Sequence, residues 1–254
     1  MGQQRSYAEV ARREPDQITP VSLHGHPGLW KVPRSSIHLV TAENRHLYRE
    51  SLEASFRLRH DVYVTERGWE TFRSPDGRET DTYDQHDAIY LLAIEENDGR
   101  LVGCARLLPT ARKTLLQEFP GLSGVYDFPR SPSIYHFSRC VVASDRRGGL
   151  AINTLITLLR IGVQEFGLSE NIEQLTNLLP VSLLPVYLAL GWNPQPLGLP
   201  LTWGGVSCVA VTLDVSEVAL SQTRAVCGIT DPLLVRHEIT RPIIPQAPVS
   251  NHLC

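Results

Sequence analysis

The chain has 254 residues, of which 42% are hydrophobic and 20% are charged, and its formal net charge is -3. This composition is typical of one globular α/β domain and excludes a fibrous protein. It gives no basic bias toward nucleic acid, and no stretch approaches the roughly 20 apolar residues that cross a bilayer, so we expect neither a nucleic-acid nor a membrane partner.

The first patterns along the chain predict a domain between two extensions. Residues 1–35 are polar and irregular with several prolines, and residues 216–254 end in a proline-containing run, so both are predicted to be tails. The predicted domain comprises residues 36–215. It begins with a short strand at residues 36–40, and Asn44 is a candidate cap for the helix that follows. The apolar and aromatic positions of that helix are Tyr48, Leu52, Phe56 and Tyr63.

The sequence patterns in the rest of the domain predict further strands and helices. Two apolar runs flank Asn97-Asp98-Gly99, which predicts a hairpin over residues 88–95 and 101–108. The later patterns predict a buried strand, a long amphipathic helix, a strand, a helix and a final strand. In chain order they are a strand at residues 133–143, a helix at residues 150–166, a strand at residues 172–178, a helix that ends near Gly191, and a strand at residues 206–214. The element order is similar to that of the GNAT acyltransferase superfamily, so we expect a single three-layer α/β/α domain with a mixed sheet.

The cysteines and the N-terminus bear on the cellular compartment. Five cysteines are an odd number, they are widely spaced, and none forms a Cys-x-x-Cys pair. This pattern indicates neither a disulfide framework nor a zinc site. The N-terminus lacks the apolar core of a signal peptide. We therefore expect a cytoplasmic protein with free thiols, no metal and no tightly bound cofactor.

Several ordered motifs carry candidate functional residues. Residues 56–69 place arginines and an aromatic residue before a Gly-Trp pair, and residues 79–84 contain acidic residues three apart. Further arginines follow in the apolar run at residues 102–109 and in residues 137–139. Together with a looser match at residues 190–192, these motifs resemble those of the acyl-homoserine-lactone synthases, the autoinducer synthase family.

The resemblance implies an acyltransferase that serves quorum sensing. The amine of S-adenosylmethionine would attack an acyl thioester, and ring closure would release an N-acyl-homoserine lactone and 5'-methylthioadenosine. S-adenosylmethionine would be a substrate, and the acyl donor would be carried by acyl carrier protein or by coenzyme A. The sequence decides neither the carrier nor the acyl chain.

The chemistry of S-adenosylmethionine explains the residue types of its expected pocket. Its sulfonium and ammonium call for anions, and its carboxylate calls for an arginine. Asp81 and Asp84 fit the first role, and the aromatic faces of Tyr63 and Trp69 attract a sulfonium. The substrate-binding residues implied by the resemblance are Arg59, Tyr63, Trp69, Asp81, Asp84 and Arg106. Because a buried guanidinium needs partners, a structural network between these arginines and aspartates is an equal alternative.

The catalytic residues implied by the resemblance are His136, Ser138 and Arg139. The chain departs from the family at His136, where the resemblance places a glutamate that helps to deprotonate the amine. An imidazole with an unperturbed pKa near 6.5 can also act as a base at neutral pH, although a structural histidine is the alternative. Backbone N–H groups of a splayed central strand are implied to stabilise the oxyanion.

The loop before the long helix resembles the superfamily loop that cradles pantetheine phosphates. Free N–H groups at a helix N-terminus favour anions, and an ordinary glycine turn is the alternative. The phosphate-binding candidates are Arg146, Arg147, Gly148 and Gly149.

Two other functions stay open at this stage. One is a GNAT-type enzyme that acylates another amine, such as an amino acid, which the exchange at His136 favours. Trp69, Asp81 and Asp84 argue against it, because they match the part of the motif concerned with S-adenosylmethionine. The other is a non-catalytic protein that binds an acyl carrier or a small ligand.

Overall fold

The computed structural model describes residues 34–85, 87–112, 114, 116, 128–147 and 154–237. The predicted N-terminal tail up to residue 33, the C-terminal residues from 238, the start of the predicted long helix, and Gly148 and Gly149 lie outside the described residues. No helix among the described residues has the length and hydropathy needed to cross a membrane.

Nine strands of the described residues form one mixed sheet. They are β1 (Ser35–Val40), β2 (Ile89–Glu95), β3 (Leu101–Pro109), β4 (Ile134–Val142), β5 (Gln174–Pro180), β6 (Gln195–Pro196), β7 (Leu201–Trp203), β8 (Val206–Asp214) and β9 (Leu234–Arg236). Their order across the sheet is β6-β8-β5-β4-β3-β2-β1-β9, and β7 also pairs with β8. The predicted hairpin and the other predicted strands are confirmed, while β6, β7 and β9 were not predicted.

The described residues also form α1 (Arg49–His60), α2 (Thr154–Ser169), α3 (Leu184–Ala189) and α4 (Glu217–Cys227). A 3-10 turn at Arg45–Tyr48 precedes α1, and a π-helical turn at Asp61–Glu66 continues it. Asn44 stands at the predicted cap position. Its amide instead accepts a hydrogen bond from the Thr41 backbone N–H and donates one to the Leu39 carbonyl, so it ties down the end of β1.

The helices cover both faces of the sheet, which confirms the expected three-layer α/β/α arrangement. Successive residues of a strand point to opposite faces. Tyr90 and Leu92 of β2 accordingly pack in the core beneath α1. Leu91 and Ala93 pack in the larger core beneath α2 and α4.

β4 and β5 form a gap in the middle of the sheet. The two strands are parallel and pair only where Ile134–His136 lies beside Gln174–Thr176. Beyond this point β4 stays paired with β3, and β5 stays paired with β8 as far as Pro180. Among the described residues, the second half of β4 therefore has no strand partner on the edge that faces β5. We call this opening the β4–β5 gap.

The described part of the predicted C-terminal extension is folded against the domain. Ser216 caps α4 through its hydroxyl, which accepts a hydrogen bond from the Ala219 N–H, and α4 buries Ala219 and Leu220 beside α2. β9 pairs in parallel with β1. The domain thus continues beyond the predicted boundary at residue 215. The prolines near the end of the sequence led to the prediction of a tail. The sequence of α4 gave little signal against it, because α4 is short and its apolar face is buried only by packing against α2.

Candidate active site

Three arginines and three carboxylates converge on the α1 face of the sheet. The arginines come from α1, β3 and β4, and the carboxylates come from the loop before β2. This arginine–carboxylate cluster consists of Arg59, Arg106 and Arg139 with Glu79, Asp81 and Asp84. Equal numbers of opposite charges allow the cluster to be buried, because each guanidinium has hydrogen-bonded anions that compensate for lost water.

Asp84 is the most highly bonded carboxylate of the cluster. Its two oxygens accept hydrogen bonds from Arg59 at 2.8 Å, and one oxygen also accepts from Arg106 at 2.7 Å and from the Tyr90 hydroxyl at 2.6 Å. Its side chain is 5% exposed. Burial raises the pKa of Asp84, but the two arginines outweigh burial and hold that pKa well below its usual range. Asp84 therefore acts as the buried anchor of the loop.

Asp81 is the most exposed carboxylate of the cluster, with 19% of its side chain accessible. Arg106 donates to both of its oxygens at 2.6 and 2.9 Å, and Arg139 donates at 2.9 Å. Burial raises the pKa of Asp81, and these arginines lower it below the usual value. The Asp81 carboxylate is therefore anionic and accessible at the rim of the cluster.

Glu79 is the cluster member that sequence reasoning did not assign. It accepts hydrogen bonds from Arg59 and from Arg139, the latter at 2.8 Å. The available signal was its place two residues before Asp81 in the same acidic segment. Arg59 and Arg106 are both buried and hydrogen-bonded to the carboxylates, so the network that was one alternative for these arginines is present.

A bulge in β4 aims Arg139 into this cluster. The register between β3 and β4 shifts at this point, and Arg139 has a φ of 53°, in the left-handed region. Such a conformation is unfavourable for a residue with a Cβ, and bulges of this kind redirect side chains near functional sites. The neighbouring Ser138 hydroxyl accepts a 3.4 Å hydrogen bond from Arg106.

An aromatic stack forms a second wall of the site. The rings of Tyr63 and Trp69 are parallel, with centroids 5.4 Å apart, and Phe72 packs against both. The π-helical turn places Tyr63, whose carbonyl accepts a 2.9 Å hydrogen bond from the Trp69 N–H. The guanidinium of Arg67 lies 5.2 Å from the Trp69 ring centroid, and that of Arg139 lies 5.0 Å from Phe72. The stack therefore adjoins the cluster and already contacts cations.

His136 lies near the cluster but is not hydrogen-bonded to it. It is the last β4 residue paired with β5, and its Nδ1 is 3.2 Å from the Thr176 hydroxyl oxygen. Burial, together with Arg106 and Arg139, lowers the pKa of His136 to about 3. The imidazole is therefore neutral at neutral pH, and it is a much weaker base than the unperturbed pKa near 6.5 implied.

The two arginines expected to bind phosphate pair with protein carboxylates that are not members of the cluster. Arg146 is 2.6 Å from Glu95 and 3.1 Å from Asp145. Arg147 pairs with Glu66 and donates to the Val142 carbonyl at 2.9 Å. These bonds join the end of β4 to β2 and to the π-helical turn.

The other predicted site residues come together in one place. The substrate-binding candidates, Ser138 and Arg139 form a continuous set of polar and aromatic contacts. This set combines accessible negative charge, arginine donors and aromatic faces. Such an arrangement suits a ligand that carries both cations and a carboxylate.

Comparisons with known proteins identify the family. The family model described as autoinducer synthase matches residues 43–223. An isovaleryl-homoserine lactone synthase from Bradyrhizobium diazoefficiens is 44% identical over 185 residues, which cover 72% of this chain and 82% of that protein.

Two solved structures have the same architecture. A coenzyme A-dependent acyl-homoserine lactone synthase solved with S-adenosylmethionine and isopentyl-coenzyme A is 40% identical with a TM-score of 0.73, covering 80% of this chain and 93% of that one. A second coenzyme A-dependent synthase is 36% identical with a TM-score of 0.69, covering 78% and 98% of the two chains. The chain therefore belongs to the autoinducer synthase family, the acyl-homoserine-lactone synthases.

Proposed function

We propose that this synthase uses an acyl-coenzyme A donor with a short or branched acyl group to acylate S-adenosylmethionine. The observation that carries the choice of donor is the 40% identity, over 93% of its chain, to a coenzyme A-dependent synthase solved with isopentyl-coenzyme A. The 44% identical relative is named for an isovaleryl product, which supports a branched acyl group.

Asp81 and the aromatic stack are the groups that receive S-adenosylmethionine in this proposal. Both aspartates accept hydrogen bonds from arginines, but 19% of the Asp81 side chain is exposed against 5% of Asp84, so a ligand can reach Asp81. Asp81 therefore attracts the ammonium, and the faces of Tyr63 and Trp69 attract the sulfonium. The bulge in β4 directs Arg139 toward Asp81, and its guanidinium supplies hydrogen-bond donors for the carboxylate of S-adenosylmethionine.

The acylation step takes place where β4 faces the gap. The amine attacks the thioester carbonyl, and backbone N–H groups on the β4 edge that faces the gap stabilise the tetrahedral oxyanion. The intermediate then collapses, the carbonyl C–S bond breaks, and the thiolate of the carrier leaves and takes up the proton that the amine has lost. His136 is neutral and so has a lone pair for the proton, but its low pKa makes it a weak base. We therefore assign it first to positioning β4 through Thr176.

Cys104 and Cys140 take no part as nucleophiles. Cys140 lies in β4 beside the gap, and burial raises the pKa of its thiol to about 11. Burial likewise raises the pKa of Cys104 to about 12. Both thiols are protonated at neutral pH, and the thiolate is the reactive form. Acyl transfer is therefore direct, from the thioester to the amine.

Lactone formation completes the reaction. The carboxylate of the acylated intermediate attacks its own γ-carbon, the C–S bond to the sulfonium breaks, and 5'-methylthioadenosine leaves with the electron pair. The leaving group is already activated, so the site contributes mainly by holding the chain in a bent conformation.

The test is a turnover assay with matched donors. Purified protein is incubated with S-adenosylmethionine and with isovaleryl, butyryl, hexanoyl and octanoyl groups, each on coenzyme A and on acyl carrier protein. Mass spectrometry measures lactone and 5'-methylthioadenosine. We expect the highest kcat/KM with a short or branched coenzyme A thioester. A preference for acyl carrier protein, or for the octanoyl group, would contradict the proposal.

The same assay separates the remaining alternative functions. Free amino acids are offered as acceptors in parallel reactions. Acylated amino acid formed without 5'-methylthioadenosine would indicate a general amine acyltransferase. Tight binding without product from any donor would indicate a ligand-binding protein.

A further inference from the structure

Arg160 is a buried cation on the face of the sheet opposite the arginine–carboxylate cluster. It lies in α2 and is 6% exposed. Its Nε has no hydrogen-bond partner, and none of the ion pairs found among the described residues involves it. Arg59 and Arg106 are equally buried, but each has carboxylates at hydrogen-bond distance. Arg160 thus differs from the other buried arginines in its lack of compensating anions within the described chain.

The guanidinium lies beside the β4–β5 gap. Its Cζ is 4.7 Å from the ring centroid of Tyr187, in the helix α3 that follows β5. Its charge also acts on the thiols of Cys140 and Cys227. Cys140 belongs to the part of β4 that has no pairing with β5. Arg160 therefore lies on α2 near the part of β4 that is not paired with β5.

A buried arginine in this position needs hydrogen-bond acceptors for its guanidinium. The ring and the hydroxyl of Tyr187 offset only part of the cost of burying this guanidinium, because Nε has no hydrogen-bond partner among the described residues. Since the surrounding side chains are tyrosine and cysteine rather than carboxylate, a neutral oxygen acceptor suits the site better than a second ion in a buried pair. Amide carbonyl oxygens are acceptors of this kind.

The acyl donor brings such acceptors to this place. Its thioester carbonyl must reach the amine near Arg139, and the rest of its pantetheine arm then has to pass along the unpaired edge of β4. An extended chain that carries amides can bind a free strand edge as an added strand does. We propose that Arg160 binds the acyl donor by donating hydrogen bonds to an amide carbonyl of the pantetheine arm. This inference rests on the proposed function, but it holds for coenzyme A and for acyl carrier protein, because both carry the arm.

The test compares Arg160→Met with the wild type. Methionine keeps much of the stem's volume and removes the charge and the donors. We expect the KM for the acyl donor to rise roughly tenfold or more, as for loss of a hydrogen bond to a charged group, while the KM for S-adenosylmethionine stays within about twofold. Calorimetric titration of the donor alone should show the same loss of affinity. Arg224→Met is the matched control, since Arg224 lies on α4 and pairs with Glu165 outside the gap.

Stability separates a binding role from a structural one. Arg160→Met removes an uncompensated cation, so its Tm without substrates should equal or exceed that of the wild type. A lower Tm combined with an unchanged KM for the donor would overturn the proposal, as would an equal rise in both KM values. An inactive wild type would instead refute the proposed function, and titration of the donor would still test Arg160.

Discussion

Arg106 in β3 donates hydrogen bonds to both carboxylate oxygens of Asp81, at 2.6 and 2.9 Å, although 25 positions separate the two residues in the chain. The pairing fixes the acidic loop onto the sheet and leaves Asp81 at the rim of the cluster. A single loop thus serves stability through Asp84 and presents charge through Asp81.

Replacing Asp84 by asparagine should destabilise the fold. The amide keeps the shape but leaves the buried Arg59 and Arg106 without part of their counter-charge, and breaking a buried ion pair in this way typically costs about 3–5 kcal/mol. Urea unfolding measures the effect. Asp87→Asn is the control, because Asp87 forms an exposed pair with Arg112 and should change stability by less than about 1 kcal/mol. Equal effects of the two changes would contradict the anchoring role of Asp84.

Replacing Asp81 by asparagine should weaken substrate binding as well as destabilise the fold, because the buried Arg106 loses part of its counter-charge. The proposed contact with the ammonium loses its charge, so we expect kcat/KM for S-adenosylmethionine to fall roughly 10- to 100-fold. The KM for the acyl donor should stay unchanged. Steady-state kinetics with each substrate varied in turn gives the answer. A normal KM for S-adenosylmethionine in a folded variant would remove Asp81 from the binding site.

Gly204→Ala should disturb the aromatic stack. Gly204 lies in the turn between β7 and β8 with a φ of 54°, and a Cβ there would collide with the Trp69 indole. We expect a severalfold rise in the KM for S-adenosylmethionine, measured by kinetics. Gly99→Ala is the matched control, since Gly99 has a φ of 72° but open space around its Cβ position. Both variants should lose roughly 1–2 kcal/mol of stability because of the left-handed backbone, and Gly204→Ala should lose more because of the collision. Identical kinetics in the two would show that Trp69 does not depend on this contact.

His136 should make the protein sensitive to mild acid. Its pKa is about 3 in the folded protein and about 6.5 in the unfolded chain. The unfolded chain therefore binds the extra proton between these values, and stability falls as the pH falls from about 6.5 toward 3. His136→Gln should remove about 1.4 kcal/mol per pH unit from that slope.

Chemical unfolding at several pH values between 7 and 4.5 measures this slope. His46→Gln is the control, because His46 is exposed and should leave the slope unchanged. If His136→Gln also leaves it unchanged, His136 is not held neutral by burial.

Local patterns predicted much of the fold and part of the site. The hairpin at β2 and β3 was visible because its turn sequence and alternating strands are short-range signals. The short strands β6, β7 and β9 were not, since each depends on pairing with a distant strand rather than on its own sequence. The same reason explains why α4 was taken for part of a tail.

By itself the sequence determined the chemical inventory: the order and spacing of arginines, acidic residues and aromatics that identified the family. Only the tertiary structure decided their use. Folding brought α1, β3 and β4 to one loop, which made Arg59 and Arg106 structural partners of the aspartates and left Asp81 at the rim. It also buried His136 and lowered its pKa. Burial and long-range charge pairing depend on how distant segments pack together. The order of residue types along the chain does not specify this packing.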